Sequence, residues 1–378
     1  MAKFASVHWL RIMVNVFCKN TGETKEFQEG TYLYDVLKEF DFEHPFPILA
    51  AKVNNVVEGL KFRVFNNRDV EFLDYRCYAG RSVYCRSLCF LLAKACQDIC
   101  PGSRLTIKRP ISKGYFCQLN KVDGSRITEN ELIAIRQRMQ KIVLSGEEFH
   151  RHEVHTEEAI SIFRELGYED KVKLLSTCGK VYVSYYTLDG TPDIYYDALL
   201  PNVSYLKVWS LEPYKDGMFL RVPCRHHPKE LAPFIDQPKT FEALQESLKW
   251  NKIMGLANVG DVNIACQSGQ ATDLIQVSEA LQEKKIVQIA EEIFRRFNSP
   301  EKVRIVLITG PTSSGKSTIC KRLSIQLKAC GLHPVSFSTD DYFVNRVETP
   351  KLPDGSYDFD NFDTVDHKAL QKDVLKLL

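Results

Sequence analysis

The sequence predicts a multi-domain chain of mixed α+β and α/β class, and three observations carry that expectation. The 378 residues are enough for two to three cores at roughly 100–200 residues each. The first 75 or so residues read as strand, turn, strand, helix and strand, a small mixed sheet clasping one helix. Towards the C-terminal end, an apolar β-branched run at 303–308 enters a glycine-containing loop and then a helical pattern at 317–330. That is the order of a parallel α/β sheet.

Composition narrows the class. Lys and Arg number 50 against 48 Asp and Glu, a net charge of +2, with 44% hydrophobic and 26% charged residues. Such a balance excludes extensive disorder. It also argues against a dedicated nucleic-acid binder, which ordinarily carries a strongly basic stripe. No run approaches the ~20 uncharged apolar residues of a membrane span. The short apolar stretch at 4–10 contains His8 and is followed by Arg11, so a soluble, cytoplasmic chain is expected. The twelve cysteines, without a secretion signal, read as free thiols. Cys85, Cys89, Cys96 and Cys100 are spaced 4, 7 and 4. On a helix they form one stripe of roughly 22 Å, too long for one tetrahedral metal site and suited to core packing.

In order, 12–18 is strand-like, Asn20-Thr21-Gly22 turns the chain, and a strand resumes at Glu26 and Phe27 before a helix at 32–40. A strand at 48–53 meets Asn54-Asn55, and 68–73 closes the unit. A helix is expected at 82–99, ended by Pro101-Gly102. Helices follow at 129–144 and 156–166, then strands at 180–186, 194–199 and 218–222. After a proline boundary at 233–238, helices are expected at 241–253 and 272–297. The second has an apolar face of Leu274, Val277, Leu281, Ile286, Ile289 and Ile293, read as a docking face. These elements group as 1–76, 77–238, a helical connector at 239–298, and 299–378.

The run at 303–308 leads into Gly310, Pro311, Thr312, Ser313, Ser314, Gly315, Lys316 and Ser317, the G-x-x-x-x-G-K-[ST] phosphate-binding loop. Glycines let backbone N–H groups approach phosphate oxygens. Lys316 spans the outer phosphates, the Ser317 hydroxyl ligates Mg²⁺, and Thr318 extends the first helical turn with its positive dipole end. A second strand is expected at 334–338, ending at Thr339, Asp340, Asp341, Tyr342 and Phe343. Carboxylates at such a strand end can hold Mg²⁺ or accept a proton, and the aromatics can wall a flat substrate.

Residues 1–76 resemble the ubiquitin-like β-grasp of TGS domains, and 77–238 resemble the second additional domain of threonyl- and alanyl-tRNA synthetases. The loop, the Ser338 to Phe343 stretch and Tyr357-Asp358-Phe359-Asp360-Asn361-Phe362-Asp363 resemble the phosphoribulokinase/uridine kinase family. The whole arrangement is similar to a group of long nucleoside kinases. That resemblance implies ATP and Mg²⁺ as cofactors and phosphoryl transfer to a hydroxyl of a nucleoside or related sugar-containing substrate. It also implies Asp340 as general base and Mg²⁺ ligand, and Asp360 holding the ribose hydroxyls, with Tyr342 and Phe343 lining the acceptor site. The family's Asp-x-Phe-Tyr is here Asp340-Asp341-Tyr342-Phe343, which leaves base specificity open. Only 61 residues follow Ser317, too few for a kinase sheet with its lid, so a C-terminally truncated chain of reduced activity is expected.

The synthetase resemblance raises a further question, because editing domains of that class use His-x-x-x-His and Cys-x-x-x-His pairs. Here His150, His152 and His155 are followed by Cys224, His226 and His227. On a helix His150 and His155 would point about 140° apart, so zinc and editing chemistry are not expected. The second reading, from another class, is a non-catalytic nucleotide-sensing regulatory protein that binds tRNA or a partner. The neutral charge sets tRNA behind the nucleoside, and homo-oligomers remain open.

Overall fold

The computed structural model describes residues 12–300, 302–311, 313–352, 355–359 and 361–378, without the side chain of Arg109. Thr312 and Asp360, both expected at the site, lie outside the described residues. The chain divides into two units, one up to Gln267 and one from Ser268.

The first unit opens with β1 (Met13–Cys18) and β2 (Glu23–Gln28), antiparallel around the turn closed by Gly22. Alternation puts Val14, Val16 and Cys18 inside, as a half-exposed strand requires. A short ribbon of β3 (Thr31–Tyr32) and β6 (Arg63–Val64) flanks α1 (Leu33–Glu39), which buries Leu33 and Val36. Strands β4 (Ala50–Val53), β5 (Val56–Gly59) and β7 (Arg68–Leu73) complete a sheet of order β2-β1-β7-β4-β5, with β1 and β7 parallel. Asn54 and Asn55 both have positive φ, 47° and 68°. That is the two-residue turn whose twist matches a hairpin, and the sequence reading left β5 beyond it unassigned.

Helix α2 (Tyr78–Ile99) is buried over most of its length, and the stripe Cys85, Cys89, Cys96 and Cys100 lies in the core. Burial raises the Cys89 thiol well above its ordinary range, so these are unreactive packing groups. Inside, the Ser87 hydroxyl donates to the Val83 carbonyl (2.8 Å) and accepts from the Leu200 N–H (2.9 Å). Against α2 stands a sheet of order β13-β14-β9-β8, from β8 (Arg104–Ile111), β9 (Gly114–Asn120), β13 (Ser210–Tyr214) and β14 (Gly217–Arg221). Helix α3 (Glu129–Ser145) starts at a capping box: Thr128 accepts from the Glu131 N–H and Glu131 accepts from the Thr128 N–H.

A three-stranded sheet of β10 (His150–His155), β11 (Tyr182–Leu188) and β12 (Thr191–Asp193) packs on α4 (Thr156–Glu165) and α5 (Glu169–Thr177) through Phe163, Val172 and Leu175. The β11–β12 turn uses Asp189 and Gly190, again at positive φ. Its Asp189 reaches Lys94 (3.4 Å) on α2 and Arg138 (3.3 Å) on α3, which both also bind Asp98. Residues 194–199, expected as a strand, carry no ladder. Helices α6 (Pro238–Ile253) and α7 (Val259–Gln267) belong to this unit. Phe241 packs on Phe116 (5.1 Å between ring centroids), and Asp261 pairs with Lys173 (2.8 Å).

The second unit holds α8 (Ala271–Phe297), α9 (Lys316–Ala329) and α10 (His367–Leu377). Its core is Ile286, Ala290, Leu323 and Leu327, with Glu283 pairing to Arg322 at 3.0 Å beside it. The expected strands at 303–308 and 334–338 form no ladder in the described residues. Ile305, Val306 and Leu307 stand 48%, 43% and 88% exposed, whereas a central parallel strand is covered on both faces. The chain is a mixed α+β protein of two units, and among the described residues no parallel α/β sheet is seen in the second.

Candidate functional site

The phosphate-binding loop is the site the sequence marks most sharply. Ser313 (φ 59°) and Gly315 (φ 84°) turn the backbone left-handed so that α9 starts at Lys316. A Cβ at Gly310 would lie 2.9 Å from Ser314 Oγ, so a side chain there would displace that hydroxyl. Among the described residues no side chain caps α9, and N–H groups at such a helix start are suited to an anion. Ser317 and Thr318 are exposed in that first turn. Lys316 Nζ donates to the carbonyls of Gly310 (2.8 Å) and Pro311 (3.0 Å), folding over the loop's mouth.

Asp340 is exposed, and its N–H donates to Ser338 Oγ (3.2 Å), while Asp341 accepts from the Ser338 N–H (3.4 Å). Asp341 is therefore a turn cap, while the Asp340 carboxylate makes no hydrogen bond among the described residues. The Tyr342 hydroxyl donates to Asp373 (3.2 Å) on α10, and Phe343 bridges to Val365. Both aromatics are thus engaged with the segment that follows, without the strand end on which the sequence reading placed them.

His150, His152 and His155 sit on a strand, not a helix. On β10 His152 stacks on Tyr185 (4.9 Å) with Nε2 bonded to Thr187 Oγ1 (2.8 Å), and His155 packs on Tyr182 (4.3 Å). Among the described residues no group of three His, Cys, Asp or Glu side chains is gathered to hold a metal.

Sequence reasoning missed a half-buried charge cluster beside this sheet. Lys171 touches Asp193, Arg104 touches Asp170, and Lys171 and Arg104 both lie over the Tyr168 ring, at 4.9 and 5.6 Å. Burial, and then the Arg104 guanidinium, press the Lys171 ammonium down to about 7, against the pull of the Asp193 carboxylate. Burial is the larger effect because the Lys171 side chain is only 18% exposed. Only chain reversals bring these charges together, so their spacing carries no signal.

No family model matches the chain. It is similar to threonine–tRNA ligases: 27% identical over 183 residues to that of Parabacteroides distasonis, covering 48% of this chain and 28% of the relative. The Porphyromonas gingivalis protein is 25% identical over 190 residues, covering 50% and 29%. The Clostridioides difficile protein is 25% identical over 201 residues, covering 53% and 31%. The chain thus spans less than a third of the length of the relatives it matches.

These relatives correct the uridine-kinase assignment and, with it, phosphoryl transfer to a nucleoside or sugar acceptor. They also reverse the setting aside of tRNA, because a net charge of +2 sums the whole chain and cannot report a local surface. No helix among the described residues is long and apolar enough to cross a membrane. What the chain resembles, over about half of its length, is part of a threonine–tRNA ligase.

Proposed function

We propose that this chain is a tRNA-binding protein whose loop at 310–317 senses a nucleotide. The observation that carries the tRNA reading is the similarity of about half of the chain to threonine–tRNA ligases. In this reading the synthetase-like region binds tRNA, and editing is not proposed for it because its His and Cys spacing differs from the His-x-x-x-His and Cys-x-x-x-His pairs.

The uncapped α9 N-terminus and the left-handed curl at Gly315 suit a polyphosphate. Loop residues Gly310, Pro311, Ser313, Ser314 and Gly315 would present backbone N–H groups to the phosphates of ATP. Lys316 would exchange its two carbonyl partners for phosphate oxygens. Ser317 would ligate Mg²⁺ with Asp340 as a second oxygen donor, and Thr318 would support the first turn. The metal's contribution there is to neutralise phosphate charge. Tyr342 and Phe343 border this acidic turn and respond to it through Asp373 and Val365.

Two measurements test the parts separately. Filter retention of labelled tRNA by the full chain should be saturable and should weaken as salt rises. Mg·ATP binding followed by calorimetry should be lost in Lys316→Ala, by at least tenfold in affinity, while tRNA retention is unchanged. Equal ATP affinity in that variant would remove the nucleotide part.

A further inference from the structure

The strongest unassigned surface lies on the β3/β6 ribbon of the first unit. Leu33, Val36 and Val64 point inward and are fully buried. By register Tyr32, Arg63 and Phe65 share the opposite face of the ribbon, with Tyr34 at the start of α1; Tyr32, Tyr34 and Phe65 are 38%, 44% and 51% exposed. Rings exposed together are uncommon on a folded surface and mark a place of contact.

Their arrangement is built. Tyr32 and Arg63 are direct cross-strand partners, and the Arg63 guanidinium lies 4.4 Å over the Tyr32 ring while bonding its hydroxyl. Gly30 stands where a Cβ would come 3.6 Å from the Phe65 ring edge, so that ring lies close along the backbone. Lys38 Nζ sits 4.2 Å over Tyr34, held from its other side by Asp35 at 2.8 Å. Arg63 has no carboxylate partner among the described residues, and its recorded contacts are those with Tyr32. It is therefore the cation left to meet an anion.

We propose that this surface binds a single-stranded segment of RNA, with unpaired bases stacked on Tyr32, Tyr34 and Phe65 and a phosphate on Arg63. Flat π-faces beside an unpaired guanidinium match a nucleotide chain, whose every unit carries a base and a negative charge. A protein's carboxylate could pair the guanidinium as well as a phosphate does; the similarity of about half of the chain to threonine–tRNA ligases is what favours RNA as the occupant. The inference rests on the tRNA reading above and names where unpaired nucleotides are held.

The test uses the full chain, with fluorescence anisotropy of a labelled 12-nucleotide unstructured RNA and, separately, retention of tRNA. Arg63→Gln should lower the slope of log affinity on log salt by about 0.7, one phosphate contact. The double variant Tyr32→Ala and Phe65→Ala should weaken the oligonucleotide by at least tenfold, as lost base stacking does, while a thermal melt still shows a cooperative folded state, since both rings are partly exposed. Tyr32→Phe keeps the ring and should retain most of the affinity. If tRNA is retained but the oligonucleotide is not bound, or is bound equally by the double variant, the surface is wrong and the tRNA reading stands. If neither RNA binds, both fail. Light scattering that shows a dimer, dissolved by Phe65→Ala with RNA affinity unaltered, would assign the rings to a second copy and overturn the proposal.

Discussion

Helices α2 and α8 are the longest in their units, and they differ in what covers them. The 22 residues of α2 bury thirteen, from Gly80 to Cys96. The 27 residues of α8 bury two, Ile286 and Ala290. The same contrast holds for strands. In the first unit Met13–Cys18 gains a neighbour on each side, β2 and β7. In the second, the equally apolar stretch at 303–308 has no ladder among the described residues and leaves Leu307 outside. Hydrophobic pattern states what a segment can bury, while the fold obtained depends on whether a partner surface exists to bury it.

The contrast can be broken most forcefully by core truncation. Phe90 is fully buried on α2 against Phe149 (5.8 Å) and Tyr195 (5.2 Å), so Phe90→Ala should cost about 3–5 kcal/mol in urea unfolding. Ile286→Ala on α8 should cost about 2 kcal/mol, the low end for a buried aliphatic side chain. Equal costs would show that the second unit is as tightly filled as the first.

A smaller effect sharpens the comparison through pH. The Lys171 ammonium is depressed to about 7 in the folded chain from 10.5. Between pH 7 and 10.5 the unfolded chain therefore binds more protons, and this group makes stability rise with pH. Cysteines such as Cys117, raised to about 12 by burial, act oppositely above pH 8.5, so the informative quantity is a difference. From pH 7 to 8.5 the wild-type chain should gain on the order of 1 kcal/mol relative to Lys171→Met. A constant gap between the two would place the Lys171 proton elsewhere. The least effect is expected from Thr128→Ala, which removes a capping box and should cost about 1 kcal/mol, measured by thermal melting with Thr128→Ser as the rescuing variant.

Much of the first unit was legible because local signals agreed with tertiary packing. Strand 68–73 and the start of the helix at 129 lie where the sequence places them. Strands β8 and β9 were not read, since Ser112 and Lys113 make their turn at positive φ without glycine or asparagine. Strand β10 was hidden because its face is His150, His152 and Val154, which lacks apolar alternation. At the candidate site the loop was readable from Gly310 to Ser317, since glycine and lysine spacing is itself the chemistry. The exposed rings at Tyr32 and Phe65 were not, because residues 33 apart become neighbours only through the β3/β6 ribbon.

The central claim is that the chain binds tRNA, and filter retention of labelled tRNA by the full chain across 50–200 mM salt tests it most directly. The account predicts saturable retention that falls steeply as salt rises. Absence of retention at every salt concentration, with phosphate transferred from ATP to uridine by the same preparation, would contradict it.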